Sequence, residues 1–351
     1  MTKCCNTCFT DSELRRKIRT DSISEDSDCD FCTGETEVTV NCESLKYDFE
    51  FLIDTLFVKG EGENSDDLSI LIQNKLLVFS DNVASPSDLL KNILNDERIY
   101  DGSTRYYPRM MEVEFSSYWT ELRQELVEKN RFFPQNRLFT SLFRDQSTEN
   151  RVFIELVGQL TDSIPIGSNF CRARIANNIL DDDQMGKPPK KLATDGRANP
   201  VGIAYLYTSE EIRTSVSEVR PSIGNTICVA TLSSLLKLRV IDLTAPRRKF
   251  NPTTFEDKEL VIALSIVDML EQLSMELSKP IAQDRTLNYL PTQFFCEFIK
   301  SLDLVDGVKF SSSFDGQNNI VFFEPNNSNY FSITDKKLAR IDATQHTIVD
   351  I

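Results

Sequence analysis

The stretch Asp195–Pro221, "DGRANPVGIAYLYTSEEIRTSVSEVRP", decides how this chain is read. "GRANP" is a turn, because Gly196 frees the backbone and Pro200 biases Asn199 towards an extended shape. "GIAYLYT" then alternates like a strand, with Ile203, Tyr205 and Tyr207 on one face and Ala204, Leu206 and Thr208 on the other. Thr208 with Glu211 fits a capping box, which predicts a helix starting where the strand ends and closed by Pro221. Glu218 is expected about three turns into that helix, on the side of Glu211 and Ser215. The unit thus gathers Arg197, a tyrosine and a glutamate, a set able to hold an anionic ligand that contains a ring. Arginine grips phosphate oxygens, tyrosine stacks, and glutamate accepts from a sugar hydroxyl. A solvated surface glutamate is the other reading of Glu218.

Working outward, short β-rich runs surround this stretch: "FCRARI", "TICVATL", "LRVIDL", "GVKFSSS", "NNIVFFEP" and the terminal "ARIDATQHTIVDI". Helical periodicity lies between them at "DKELVIALSIVDMLEQLSMEL" and "LPTQFFCEFIKSLD". The elements mix without the strict alternation of a doubly wound sheet, so residues 156–351 read as an α+β domain. Residues 35–155 carry apolar positions at three and four spacing, as in "LKYDFEFLIDTLFVKG" and "YWTELRQELVEKNRF", and read as a mostly helical module with Trp119 as an anchor.

At the N-terminus, Cys5 and Cys8 form one Cys-x2-Cys pair and Cys29 and Cys32 another, with twenty residues between them. Four thiolates so spaced can close a tetrahedral zinc site with no open position, which predicts a structural zinc element over residues 1–34. Cys4 could replace Cys5 in the set. Cys42, Cys171, Cys228 and Cys296 sit among apolar neighbours and are expected in the core.

Net charge is −15, from 54 acidic and 39 basic residues, which argues against general nucleic-acid binding and against anionic membranes. No run approaches the 18 apolar residues of a membrane helix, and "MTKCCNTCFT" lacks a signal peptide's apolar core. A cytoplasmic protein is expected. The one histidine, His346, removes two-imidazole zinc chemistry, and no G-x-S-x-G elbow accompanies it. Arg340 and His346 have the spacing of HEPN-type ribonucleases, but lie in a strand-like run.

The segments "FCRARI", "MGKPP", "GRANPVGIAYLYTSEEIRTSVSEVRP", "YLPTQFFCEFIKS" and "GVKFSSSFDGQNNIVFF" closely resemble, in order, the RES domain, named for Arg, Glu and Ser. The cysteine pairs and the helical stretch resemble the HEPN-like region fused to some RES domains. The resemblance implies a fold similar to ADP-ribosyltransferases and a toxin that consumes NAD⁺, cleaving the nicotinamide–ribose bond with water, phosphate or a protein as acceptor. It maps the family's arginine on Arg197, its tyrosine on Tyr207 ten residues on, and its glutamate on Glu218 eleven further. Its serine falls on Ser312, with Ser311 or Ser313 as register alternatives. Arg172 and Arg174 match a basic element near the family's cleft and are phosphate candidates, a structural salt bridge being the other reading of each. Implied roles are diphosphate binding for Arg197, stacking for Tyr207, a hydrogen bond to nicotinamide or its ribose for Ser312, and stabilisation of the oxocarbenium-like ribose for Glu218. Implied partners are an antitoxin with a helix-turn-helix domain, or self-inhibition by the N-terminal module. A catalytically inactive RES-like binding protein is the alternative from another class, and a HEPN-type ribonuclease the third.

Overall fold

The computed structural model describes residues 2–22, 28–32, 38–96, 104–110, 114–143, 147–279, 286–323 and 330–343. Chain order begins β1 (Lys3–Cys5), α1 (Ser12–Asp21), β2 (Thr39–Asn41), α2 (Lys46–Leu56), β3 (Phe57–Lys59), α3 (Leu68–Leu76), α4 (Pro86–Leu94) and β4 (Tyr106–Pro108). There follow α5 (Phe115–Glu128), α6 (Arg137–Leu142), α7 (Thr148–Gln159), β5 (Thr161–Ile164), β6 (Asn169–Ile175), α8 (Asp182–Met185), β7 (Leu206–Ser209) and α9 (Ile212–Glu218). The remainder is β8 (Thr226–Ser234), β9 (Leu238–Asp242), α10 (Pro246–Lys249), α11 (Asp257–Ser278), α12 (Leu290–Ser301), β10 (Gly307–Ser311), β11 (Asn318–Phe322) and β12 (Phe331–Arg340). Among the described residues no helix is long and apolar enough to cross a membrane.

The chain groups into two compact units: residues 1–118, 140–159 and 245–269, and residues 119–139, 160–244 and 270–351. This differs from the linear division at 34 and 155 expected from the sequence. Residues 245–269 return to the N-terminal unit, and residues 119–139 belong to the C-terminal one.

In the first unit, α1 starts at Asp11, whose carboxylate accepts from the backbone of Glu13 at 2.8 Å and Leu14 at 3.0 Å. The same carboxylate accepts from the Thr253 hydroxyl at 2.8 Å, so a residue far along the chain shares the cap. Burial pushes the Asp11 carboxyl up, and these donors oppose the shift. Phe9, Phe49 and Phe79 form a buried aromatic cluster, with centroids 5.6 to 6.2 Å apart. α3 ends in Leu77 at φ +51°, a left-handed conformation unusual for a leucine. The Gln73 side chain holds that exit by bonding both the N–H and the carbonyl of Phe79 at 3.1 Å.

The second unit is built on an eight-stranded sheet of order β12-β8-β6-β7-β11-β10-β9-β5. All neighbours are antiparallel except β9 with β10. One face carries Phe170, Leu206, Ala230, Leu232, Ile320 and Phe322 in a buried cluster, as the period of two requires. On the other face Ala173, Ile227 and Val229 receive Val216 and Val219 from α9 and its exit. Trp119 is fully buried; its ring meets Phe295 edge-on at 6.3 Å and its indole N–H donates to Glu276 at 3.3 Å, so it anchors this core.

Several expectations are corrected. Of "GIAYLYT" only the last three residues lie in β7, which runs on to Ser209, because the chain is still turning at Gly202, where φ is +83°. The Asn199 amide bonds the carbonyl of Ile203 at 2.7 Å and so holds that turn. The Thr208–Glu211 capping box does not form: the Thr208 hydroxyl donates to the Ile320 carbonyl at 3.0 Å, and Glu211 is the N-cap without a side-chain bond. α9 is only seven residues long, so Glu218 is its last residue and not part of a third turn. β5 forms although "TDSI" shows no apolar alternation. The last strand ends at Arg340, close to where "ARIDATQHTIVDI" was expected to begin one. His346 lies outside the described residues.

Candidate functional site

Within the second unit, β6 pairs with β8 along seven residues but touches β7 at the single pair Cys171↔Ser209. The two strands part beyond that point, and a cleft of about 380 Å³ opens there. Its lining includes Arg172, Arg197, Tyr207, Ser209, Glu218 and Asn319.

The Arg172 guanidinium lies at this parting and donates to the Tyr207 carbonyl at 2.7 Å, a group that continued strand pairing would have used. Burial, and then the neighbouring charge of Arg174, pull Arg172 down to about 9, so it is still charged at neutral pH. Burial lowers Arg174 too. The Nε atoms of both arginines are buried without a hydrogen-bond partner among the described residues. Two crowded cations with unused donors favour an anion beside them.

Arg197 is 9% exposed, and its Nη1 donates to the carbonyls of Leu277 at 2.6 Å and Ser278 at 3.2 Å. It therefore closes the C-terminal end of α11 while its side chain borders the cleft. The "GRANP" turn around it is held from several sides. Gln293 donates to the carbonyls of Gly196 and Asn199 at 2.8 and 3.0 Å, and the Thr292 hydroxyl donates to that of Arg197 at 2.6 Å. The Tyr207 hydroxyl donates to Asn199 Oδ1 at 2.7 Å and accepts from the Ala198 N–H at 3.1 Å, which fixes the ring in the cleft wall. Burial pushes this phenol up, so it stays protonated. Gly196 has a steric reason to be glycine: a Cβ there would lie 2.5 Å from the Tyr207 hydroxyl and 2.7 Å from Asn199 Oδ1.

Glu218, half-buried at the end of α9, accepts two bonds on Oε1. The Ser312 hydroxyl donates at 2.8 Å and the Asn319 amide at 2.6 Å. Thr214 ties the same helix to the loop after β10 by donating to Asp315 at 2.7 Å. Ser312 is thus the member of Ser311–Ser313 whose hydroxyl meets the glutamate. The structure brings together Arg172, Arg197, Tyr207, Glu218 and Ser312, while Arg174 is absent from the cleft lining. Tyr205, on the face predicted for Tyr207, turns instead into the core, where its hydroxyl bonds Glu297 and its ring packs on Phe323 at 5.2 Å.

Sequence reasoning missed Asn319, Ser209 and Arg220. Asn319 was visible only as a polar residue entering the apolar run "NNIVFF", and Ser209 as the residue after an apparent strand end. Arg220, at φ +47°, stands over the Phe314 ring at 5.8 Å and also borders the cleft.

In the first unit, the sulfurs of Cys5, Cys8, Cys29 and Cys32 lie within 4.8 Å of one another. Cys5 is 3.3 Å from Cys32 and 3.6 Å from Cys8, and Cys8 is 3.4 Å from Cys29. With metal–sulfur bonds of roughly 2.3 Å, a tetrahedral zinc site has edges of about 3.8 Å, so this cluster could bind zinc after slight expansion. The Phe31 N–H already donates to the Cys29 sulfur at 3.5 Å. Cys4 is no substitute for Cys5: its thiol hydrogen-bonds with that of Cys42, and it lies outside the cluster of four sulfurs.

Residues 171–343 match the family model of the RES domain, so this part of the chain is a RES domain. Among solved structures it is similar to the M. tuberculosis MbcT–MbcA toxin–antitoxin complex, at 12% identity and a TM-score of 0.34, covering 55% of this chain and 94% of that one. No curated protein matches the chain.

Proposed function

We propose that the cleft degrades NAD⁺ by cleaving its nicotinamide–ribose bond. The observation that carries this reading is Glu218, in a RES domain, half-buried at the parting of β6 and β7 with Oε1 taken by Ser312 and Asn319. In the reaction the ribose C1′–N bond breaks, its electron pair leaves with nicotinamide, and positive charge develops on the ribose. A fixed carboxylate facing that ribose stabilises the charge, as in glycoside cleavage. An acceptor oxygen then attacks C1′ and loses its proton. Water gives ADP-ribose, phosphate a phosphorylated ADP-ribose, and a side chain an ADP-ribosylated protein.

Tyr207, held by Asn199, offers its ring for stacking on nicotinamide or the ribose. Arg172, with its unused buried Nε, and Arg197 are assigned to the diphosphate. Arg174, beside Arg172 but outside the lining, adds to the local field. Ser312 acts through the Glu218 carboxylate, to which it donates, and not on nicotinamide directly. The sheet with its parted strands is read as ADP-ribosyltransferase-like. Residues 1–34 are read as a zinc element, residues 35–155 as a HEPN-like module and residues 156–351 as the RES domain. Zinc in the Cys5, Cys8, Cys29 and Cys32 cluster would be structural, because four sulfurs close its coordination. The same family reading supplies an antitoxin as the partner that blocks the cleft.

The test is incubation of the purified chain with NAD⁺ and identification of products by mass spectrometry, with Arg172→Ala and Glu218→Ala as controls. Release of nicotinamide by the wild type alone is expected. An intact NAD⁺ pool that nevertheless binds would favour the inactive binding protein.

A further inference from the structure

We infer that Asn319, oriented by Ser209, is the positioning residue that aims the Glu218 carboxylate, committing Oε1 to the protein and turning Oε2 to the ribose. This inference rests on the reading of the cleft proposed above. The Ser209 hydroxyl donates to Asn319 Oδ1 at 2.7 Å, and Asn319 Nδ2 donates to Glu218 Oε1 at 2.6 Å. A carboxylate only accepts, so just one of the two amide orientations suits Glu218, and the Ser209 bond to Oδ1 selects it. Ser209, Ser312 and Asn319 are 2%, 3% and 4% exposed, so water does not compete for these bonds.

The backbone beneath them is rigid. Asn319 lies in β11, paired with Ser209 on one side and with Phe310 on the other, and Ser209 itself pairs with Cys171 at the last contact before β6 and β7 part. The bracket therefore stands on interior strands at the edge of the cleft. Two donors converge on Oε1, whereas Oε2 makes no hydrogen bond among the described residues. A carboxylate held by one oxygen keeps the other available, at a fixed angle, for the ribose hydroxyls and the charge that develops beside them.

The test uses the full-length chain with Asn319→Asp and Ser209→Ala. Asn319→Asp keeps the shape but sets an acceptor against Glu218 Oε1, so kcat for NAD⁺ loss is expected to fall on the order of 10²-fold, with KM changed by less than about threefold. Ser209→Ala removes only the hydroxyl that orients the amide and is expected to lower kcat by roughly five- to tenfold, again with KM held. Crystal structures of both variants supply a readout independent of turnover: in Asn319→Asp the Glu218 carboxylate should swing away from residue 319. Unchanged kcat in both variants, or a carboxylate that stays in place in Asn319→Asp, overturns the inference. If the wild type spares NAD⁺, the reading of the cleft fails on its own and the crystal structures alone decide what Asn319 does.

Discussion

The cysteine cluster of the first unit and the cleft of the second are both gatherings of polar side chains, but they are assembled in opposite ways. Two tight knuckles, Cys5–Cys8 and Cys29–Cys32, each bring a pair of sulfurs together by local geometry, and only one short closure remains. The cleft and its support draw Arg172, Tyr207, Glu218, Ser312 and Asn319 from three strands, a helix and the turn after β10, spread over almost half the chain. A local cluster should respond to the loss of one member by falling apart. A long-range cleft should lose function while its scaffold, which rests on other contacts, stays folded.

The largest effect is expected at the cysteines. The purified chain should carry about one zinc; chelation or Cys8→Ser should remove it and lower the melting temperature by roughly 10 °C, read by metal analysis and calorimetry. A protein that purifies without metal and melts unchanged would break the comparison. Next comes Glu218→Gln, which should cut NAD⁺ turnover on the order of 10²- to 10³-fold with little change in melting. A matching loss of stability would mean that the cleft, too, is part of the scaffold. Gly196→Ala is expected to cost about 1–3 kcal/mol and to weaken turnover, because the new methyl must displace the Tyr207 hydroxyl and the Asn199 side chain. Denaturant unfolding measures the first and steady-state kinetics the second. The smallest effect belongs to Ser312→Ala, a fall of about tenfold in kcat, set against Ser311→Ala with none. Equal effects at the two serines would remove Ser312 from the site.

Much of this architecture is legible in the chain because its signals are local. Asp11 caps α1 from the position where an acidic residue precedes the helical run, and "DKELVIALSIVDMLEQLSMEL" forms one long helix. The strands "FCRARI", "TICVATL" and "NNIVFF" appear where β-branched and aromatic residues alternate. The errors arise where a tertiary partner outbids a local signal. Thr208 has the pattern of a cap, yet the carbonyl of Ile320 on the neighbouring strand takes its hydroxyl. Arg197 looks free to grip an anion, yet part of its guanidinium is held by the end of α11, eighty residues away.

Sequence alone determined the cysteine set and the mixed helix and strand character of the C-terminal half, since both depend on local spacing and periodicity, while resemblance to the RES domain picked out Arg197, Tyr207 and Glu218. Only the tertiary structure decided that Ser312 is the serine that meets Glu218, that Asn319 and Ser209 stand behind that carboxylate, and that Arg172 lies in a gap between strands. The physical reason is register. Pairing β11 with β7 at Asn319↔Ser209 places two buried polar residues on the face where α9 ends, and no periodicity within either strand specifies which residue of the other it will meet.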